Sequence, residues 1–347
     1  MRRRMTLLLA GLAALAVVVA VVAAGARYLT AVPGIPHTGP LPALVNAETT
    51  TTTRLSAHIR AIASRPHNID HYDELEKAAR YIEDELKALG YEPVPQVFEV
   101  DGRAVRNIEV TIEPTQTSTR GTIVVGAHYD SYGDAPGAND NGTGTAAVLE
   151  LARLLSDLRN KSETRIRLVL FVNEEPPYFK TPDMGSYRYA QLLAQRREPI
   201  IGMISLETLG CFSEEPGSQK YPPPLGLLYP NKGDFIAFVA MTGSRDLMQA
   251  LIGSFRKHTK FPTVGGVAPA FVPGIDWSDH WSFEQFRYPA VMITDTALFR
   301  YPHYHRPTDT PDKVDVERLA RIAHGVERMV RDMVRSDWPT AAASPAN

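Results

Sequence analysis

The chain has 347 residues, 44% of them hydrophobic and 22% charged, with a formal net charge of −2. This suits one large globular domain or two small ones, and gives no electrostatic reason to expect a nucleic-acid partner. The single cysteine, Cys211, excludes an intrachain disulfide framework and a cysteine-built metal cage; it reads as a small buried hydrophobe rather than a nucleophile.

At the N-terminus, Arg2, Arg3 and Arg4 precede an uncharged apolar stretch from about Leu7 to Ala26 that ends at Arg27. About 20 residues at ~1.5 Å rise span a bilayer core of about 30 Å. Residues 1–27 are therefore predicted to form a transmembrane anchor, although Ala24-Gly25-Ala26 resembles a signal-peptidase site and offers cleavage as the alternative. The arginines favour a cytoplasmic N-terminus, so both readings place the rest of the chain outside the cytoplasm, periplasmic or extracellular. Residues 28–50 are proline-rich and read as an extended linker, 51–336 as the main domain, and 337–347 as a disordered tail.

In chain order, a first amphipathic helix is predicted over Thr52–Ser64. A second carries Leu75, Ala78, Ala79, Ile82 and Leu86 at helical spacing, with Gly90 as its C-terminal cap. Ile108, Val110 and Ile112 alternate as in a half-buried strand. Next come strand Thr122–Ala127, helix Gly144–Leu158, strand Ile166–Val172, a helix near Met184–Leu193 and strand Ile200–Leu206. Phe212–Pro230 reads as a long surface loop. A helix at Ser244–Phe255, a strand at Pro289–Thr294 and a terminal helix with a stripe from Leu319 to Met333 follow. Strand–helix alternation predicts an α/β fold, a three-layer sandwich whose central, largely parallel mixed sheet is covered by helices on both faces.

The chemistry gathers where those strands end. Glu174-Glu175 closes an apolar run and is followed at once by Pro176-Pro177. A buried unpaired carboxylate costs several kcal/mol, so two in succession call for a compensating positive charge. His128 ends another strand, and Asp130 beside it is placed to take its second ring proton. Asp140, within Asn139-Asp140-Asn141-Gly142, is either part of a helix N-terminal cap or a carboxylate bridging two cations; the cluster beside His128 favours the bridge. Glu207 adds an acid at the same sheet edge. One of Glu174 and Glu175 binds metal while the other reaches a metal-bound water. In Tyr301-Pro302-His303-Tyr304-His305, spacing cannot choose between the histidines, and Asp279-His280 is a further pair read as structural or substrate-lining. Two divalent cations are balanced by Asp140, Glu175, Glu207 and one hydroxide. Histidine and carboxylate ligands without thiolate suit zinc.

Gly126-Ala127-His128-Tyr129-Asp130, Gly137-Ala138-Asn139-Asp140-Asn141-Gly142-Thr143-Gly144, Asn173-Glu174-Glu175 and Tyr304-His305 occur in the order found in co-catalytic dizinc aminopeptidases. From about Leu55 to Val334 the chain resembles that zinc exopeptidase superfamily, which also includes glutamate carboxypeptidases and glutaminyl cyclases. The resemblance implies two Zn2+ ions, His128 and Glu207 on one, Glu175 and His305 on the other, and Asp140 between them. It implies Glu174 as general base, Tyr304 as an assisting donor, and a cis peptide at Asp140–Asn141. Position 207 is aspartate in many simple aminopeptidases, and glutamate here departs from that pattern. The implied activity is hydrolysis of N-terminal peptide bonds in peptide or aminoacyl substrates. The alternatives are a carboxypeptidase-like enzyme, a one-zinc glutaminyl cyclase, or a membrane-anchored binding protein without catalysis.

Overall fold

The computed structural model describes residues 2–115, 120–335 and 338; the tail read above as disordered, 337–347, lies outside the described residues except for Trp338. The strands are β1 (Val94–Val100), β2 (Arg103–Ile112), β3 (Thr122–His128), β4 (Arg165–Phe171), β5 (Ile200–Glu207), β6 (Ile236–Met241), β7 (Thr263–Ala268) and β8 (Ala290–Thr294). The first helices are α1 (Arg2–Thr30), α2 (Asn46–Ile62), α3 (Tyr72–Ala88), α4 (Gly142–Leu154) and α5 (Gly185–Gln195). After them come α6 (Arg245–His258), α7 (His280–Gln285), α8 (Ala297–Arg300) and α9 (Val316–Met333).

One eight-stranded sheet runs in the order β1-β2-β4-β3-β5-β8-β6-β7. Its centre is parallel, β4 with β3, β3 with β5 and β5 with β8, while β1–β2, β2–β4 and β6–β8 pair antiparallel. Side chains alternate across each central strand. Ile123, Val125, Ala127, Leu168, Leu170, Ile204, Leu206 and Ile293 join the main core with α2, α3, α4, α6 and α9. Val124, Val169, Phe171, Met203 and Ala290 face the other way, against α5 and α7. Both faces being covered explains why these strands read as unbroken apolar runs rather than alternating ones. The predicted three-layer α/β architecture is the observed one.

Differences are local. Helix α2 starts at Asn46, earlier than the predicted Thr52, with the Glu48 carboxylate accepting the Val45 amide. Strands β1, β6 and β7 are additions to the predicted set. Residues after α1 are tied to the body: Gln249 donates to the Ala31 carbonyl, and Arg256 donates to the carbonyls of Pro33 and Gly34.

What matters for function is the direction of the central strands. Because β4, β3, β5 and β8 are mutually parallel, their carboxyl ends share one edge, the edge where open α/β sheets form ligand crevices.

Candidate metal centre

Each candidate side chain leaves that edge from a different strand. His128 is the last residue of β3, Glu174 and Glu175 follow β4, Glu207 ends β5, and His305 lies in the loop beyond β8. Asp140 sits between β3 and α4, where Asn141 caps the helix by accepting the Gly144 amide. The cap and the acid are thus neighbouring residues, and Asp140 is left to face inward. Helix α4 comes so close to β5 that a Cβ at Gly144 would collide with the Leu206 carbonyl.

The structure brings these groups together around Asp140. His128 Nε2 lies 3.5 Å from Asp140 Oδ1 and 3.3 Å from Glu207 Oε2. His305 Nε2 lies 3.2 Å from Asp140 Oδ2 and 3.2 Å from Glu175 Oε2. Two three-residue groups result, His128–Asp140–Glu207 and Asp140–Glu175–His305, each with its donor atoms within 4.8 Å of one another. Asp140 belongs to both, one oxygen on each side. Glu174 Oε2 stands 3.9 Å from His128 Nε2.

Crowding of acids and imidazoles in a buried site shifts their protonation strongly. Burial raises Glu175, and the Asp140 charge adds to it, up to about 8. Burial also holds Glu174 well above the usual carboxylate range; His128 opposes this, while Glu175, Glu207 and Asp279 reinforce it. Asp140 is buried as well, yet the two imidazoles beside it drive it well below its ordinary value. Burial depresses His305, but Asp140 and Glu175 outweigh it and bring the imidazole to about 10. Among the described residues His128 Nε2, Asp140 Oδ2 and Glu175 Oε1 are buried without a hydrogen-bond partner. Such atoms are costly unless something else satisfies them, and a divalent cation in each group suits an imidazole-and-carboxylate donor set.

The surrounding residues fix these side chains. Asp130 accepts the backbone amides of Glu174 at 3.0 Å and Glu175 at 3.1 Å. Its carboxylate lies 3.6 Å from His128 Nδ1, whereas its own backbone carbonyl lies at 3.1 Å. The second ring nitrogen of His128 therefore meets the main chain, and the carboxylate of Asp130 orders the two glutamates instead of the imidazole. Asn173, Thr208 and His305 adopt φ of 58°, 46° and 56°, left-handed conformations that only a well-determined surrounding structure sustains. The Asp140–Asn141 peptide is cis.

The open choices resolve by position. His303 turns away to Thr308 Oγ1 at 2.9 Å. His280 contacts the Ile275 carbonyl at 2.8 Å. Its neighbour Ser278 does reach the centre, donating to Glu207 Oε2 at 2.8 Å. Sequence reasoning missed Ser278, and also Asp309, which accepts the amides of Asn139 and Asp140 at 2.9 and 3.1 Å. It missed Tyr132 too, whose ring stacks on His305 with centroids 3.9 Å apart. All three lie in loops without periodicity, so no pattern marks them. Tyr304 stacks on His305 at 3.9 Å and, with Glu207, lines a cavity of about 540 Å³. Cys211 lies outside the cluster, and burial next to Asp295 pushes its thiol up to about 12, which leaves it protonated and unreactive.

Residues 107–330 match peptidase family M28. The chain belongs to that family. The M28 match begins within β2 and ends within α9, so it includes all of the metal-centre candidates. The uncharacterized protein YfbL of Escherichia coli (strain K12) is 36% identical over 270 residues, covering 75% of this chain and 81% of YfbL. Aminopeptidase YwaD of Bacillus subtilis (strain 168) is 26% identical over 220 residues, covering 62% of this chain but only 42% of YwaD. Among solved structures, an aminopeptidase from Aneurinibacillus sp. strain AM-1 superposes with a TM-score of 0.62 at 18% identity, covering 87% of this chain and 99% of that one. This M28 chain is thus similar in fold to an aminopeptidase and in sequence to proteins with and without an assigned activity.

Proposed function

We propose that this M28 member is a zinc-dependent exopeptidase, an aminopeptidase that removes N-terminal residues from peptides. The observation that carries the reading is the shared carboxylate: Asp140 directs one oxygen toward His128 and the other toward His305. His128 and Glu207 would hold one zinc ion, Glu175 and His305 the other, with Asp140 common to both. Bound there, the pair would supply Lewis acidity and a water of lowered pKa.

The chain's own groups do the rest. Glu174, buried and raised, takes a proton from the attacking water and returns it to the leaving amine. Burial, then the Asp140 and Glu175 charges, hold the Tyr304 hydroxyl well above its usual range, so it remains a donor toward the oxygen of the attacked carbonyl. Glu207, at the inner end of the cavity, and Glu174 supply negative charge for the substrate's ammonium group. Complete ligand groups on both sides of Asp140 favour two ions over the single ion of a cyclase, and favour catalysis over binding alone.

The N-terminal part is read as a membrane anchor. Leu9–Thr30 has a mean hydropathy of 2.6, and its apolar side chains are left outside the core except at its last turn, where Leu29 meets the body. With Arg2–Arg4 cytoplasmic, the main domain lies outside the cytoplasm.

The test is Glu174→Gln in zinc-loaded protein, assayed on leucine p-nitroanilide and on peptides blocked at either end. Turnover is expected to fall by at least about 100-fold with both zinc ions retained. Near-wild-type turnover would remove Glu174 from its role, and cleavage of N-blocked but not C-blocked peptides would replace the aminopeptidase reading by a carboxypeptidase.

A further inference from the structure

The cavity that ends at Glu207 and Tyr304 has an unexpected outer wall. Val22, Gly25, Ala26 and Leu29, from the last turns of α1, line it together with loop residues that include Leu228 and Phe271. This end of α1 is fixed to the body. Arg245 donates to the Tyr28 carbonyl at 2.9 Å and lies over the Tyr28 ring, and Leu29 packs against the main core.

That fixes the depth of the loops. Val22 precedes Thr30, the end of the apolar span, by eight residues, or about 12 Å along the helix axis. Loops that enclose one cavity together with Val22 reach to that level. If α1 crosses a bilayer, they are at the lipid interface.

Their composition suits that place. Residues 221–231 and 263–275 contain no Asp, Glu, Lys or Arg. Their apolar side chains point outward: Leu227 is 87% exposed and Phe271 83%, with Leu228, Trp277 and Leu298 exposed around them. A contiguous apolar surface of this kind is unfavourable in water and marks an interaction site. Its continuity with an apolar helix of membrane-spanning length selects a lipid surface as the partner rather than a second protein.

We propose that the 222–228 and 269–275 loops and the last two turns of α1 form one lipid-facing surface, with the cavity leading to Glu207 opening at the bilayer. This rests on reading α1 as a membrane span, and it deepens the peptidase reading by assigning membrane-associated peptides, with apolar groups lying in the interface, as substrates. A soluble, strongly charged peptide would have to leave water to reach the cavity mouth.

The experiment uses the full chain in phosphatidylcholine–phosphatidylglycerol vesicles. In a Cys211→Ser background, Leu227→Cys, Phe271→Cys and Val97→Cys are each labelled with an environment-sensitive fluorophore. Val97 is an exposed residue of β1, at the sheet edge opposite β7. Quenching by a nitroxide on the lipid acyl chain is expected to be at least twofold stronger at 227 and 271 than at 97, and quenching by aqueous iodide at least twofold weaker. Equal quenching at all three positions overturns the proposal. Alkaline extraction of the unlabelled chain from vesicles separates the causes. Release into solution defeats the anchor reading and this one with it; retention with equal quenching defeats this one alone. Neither readout depends on hydrolysis, so loss of the peptidase reading would be seen separately.

Discussion

Replacing Asp130 by asparagine tests how the centre is held. The Asp130 carboxylate is buried and spends one oxygen on each of two consecutive amides, those of Glu174 and Glu175. Asparagine keeps one oxygen and turns an NH2 group toward the other amide, donor against donor. A hydrogen bond to a charged group contributes about 1.5–3 kcal/mol, so losing one corresponds to roughly a tenfold to 150-fold change in an equilibrium or rate constant. The loss falls on the Glu174–Glu175 segment, because His128 Nδ1 faces the backbone carbonyl of residue 130, which the substitution leaves in place. Asp130→Asn should therefore lower kcat/KM on leucine p-nitroanilide by about tenfold or more, and weaken the zinc ion beside Glu175 rather than the one beside His128. A His128→Gln background, which leaves only the Asp140–Glu175–His305 group complete, isolates that ion. Zinc affinity is measured there by chelator competition with and without Asp130→Asn. If Asp130 acted through the His128 imidazole, the substitution would have no effect in this background, and the argument from the two amides would be refuted.

Zinc uptake should release protons. Glu175 and His305 face each other at 3.2 Å and both are raised, Glu175 chiefly by burial and His305 by the acids beside it, so the pair holds protons in the zinc-free protein that must leave when both become ligands. Apparent zinc affinity should rise with pH by about tenfold per unit for each proton released. Calorimetry in two buffers of different ionisation enthalpy will count the protons, and identical heats in both would be the contrary result. A second pH effect belongs to stability. Glu150 is buried and contacted by Arg54 and Arg153 at 3.0 and 2.9 Å, and although burial opposes it, His58 and Arg153 beside it bring it from 4.5 to about 2. Its folded pKa being the lower one, its contribution of about 3 kcal/mol is present above the unfolded value and is lost as pH falls toward the folded one. Glu150→Gln should cost most at pH 6 and progressively less by pH 3, in urea unfolding at each pH; an equal cost at both would remove Glu150 from acid sensitivity.

The legible parts of this fold are those whose signal is local. Strands β3, β4 and β5 are covered on both faces, so each is an apolar run that ends at or just before a candidate residue, and His128, Glu174–Glu175 and Glu207 are found by reading to the end of the run. Strand β7 carries Gly265-Gly266, which have no strand propensity, and exists because β6 pairs with it. Strand β1 leaves most of its side chains exposed and includes Pro95, so its pattern is weak and its partner β2 defines it. The same limit applies to the site. His303 and His305 differ by two positions in one loop, so spacing cannot separate them and only the family resemblance pointed to His305; the fold turns the first to Thr308 and the second to Asp140. Asp130 was recognisable as a supporting acid, but its partner was not, since the choice between an imidazole proton and two amides depends on where β4 ends relative to β3. Asp309 and Ser278 act on residues more than 70 positions away, a distance across which sequence spacing carries no information.

The centre's shape comes from loops that tie one another down. Asp130, beyond β3, holds the amides of Glu174 and Glu175 beyond β4. Asp309, beyond β8, holds the amides of Asn139 and Asp140, and its own Oδ1 accepts the Tyr301 hydroxyl at 2.7 Å. Asn141 then links the β3–α4 loop to β5, donating to the Leu206 carbonyl at 2.8 Å and accepting the Thr208 amide at 3.1 Å. The loops that carry Asp140, Glu174–Glu175 and the end of β5 are thus each clamped by a side chain from another loop, and the His305 loop supplies one of those clamps. The acids divide accordingly: Asp130 and Asp309 spend their oxygens on backbone amides, while Asp140, Glu175 and Glu207 keep oxygens for the centre. Clamps of this kind set the positions of the inner carboxylates by bonds that do not involve the ions. A zinc ion arriving at such a centre would have little folding to do, and would have to displace the protons that the crowded acids and imidazoles hold without it.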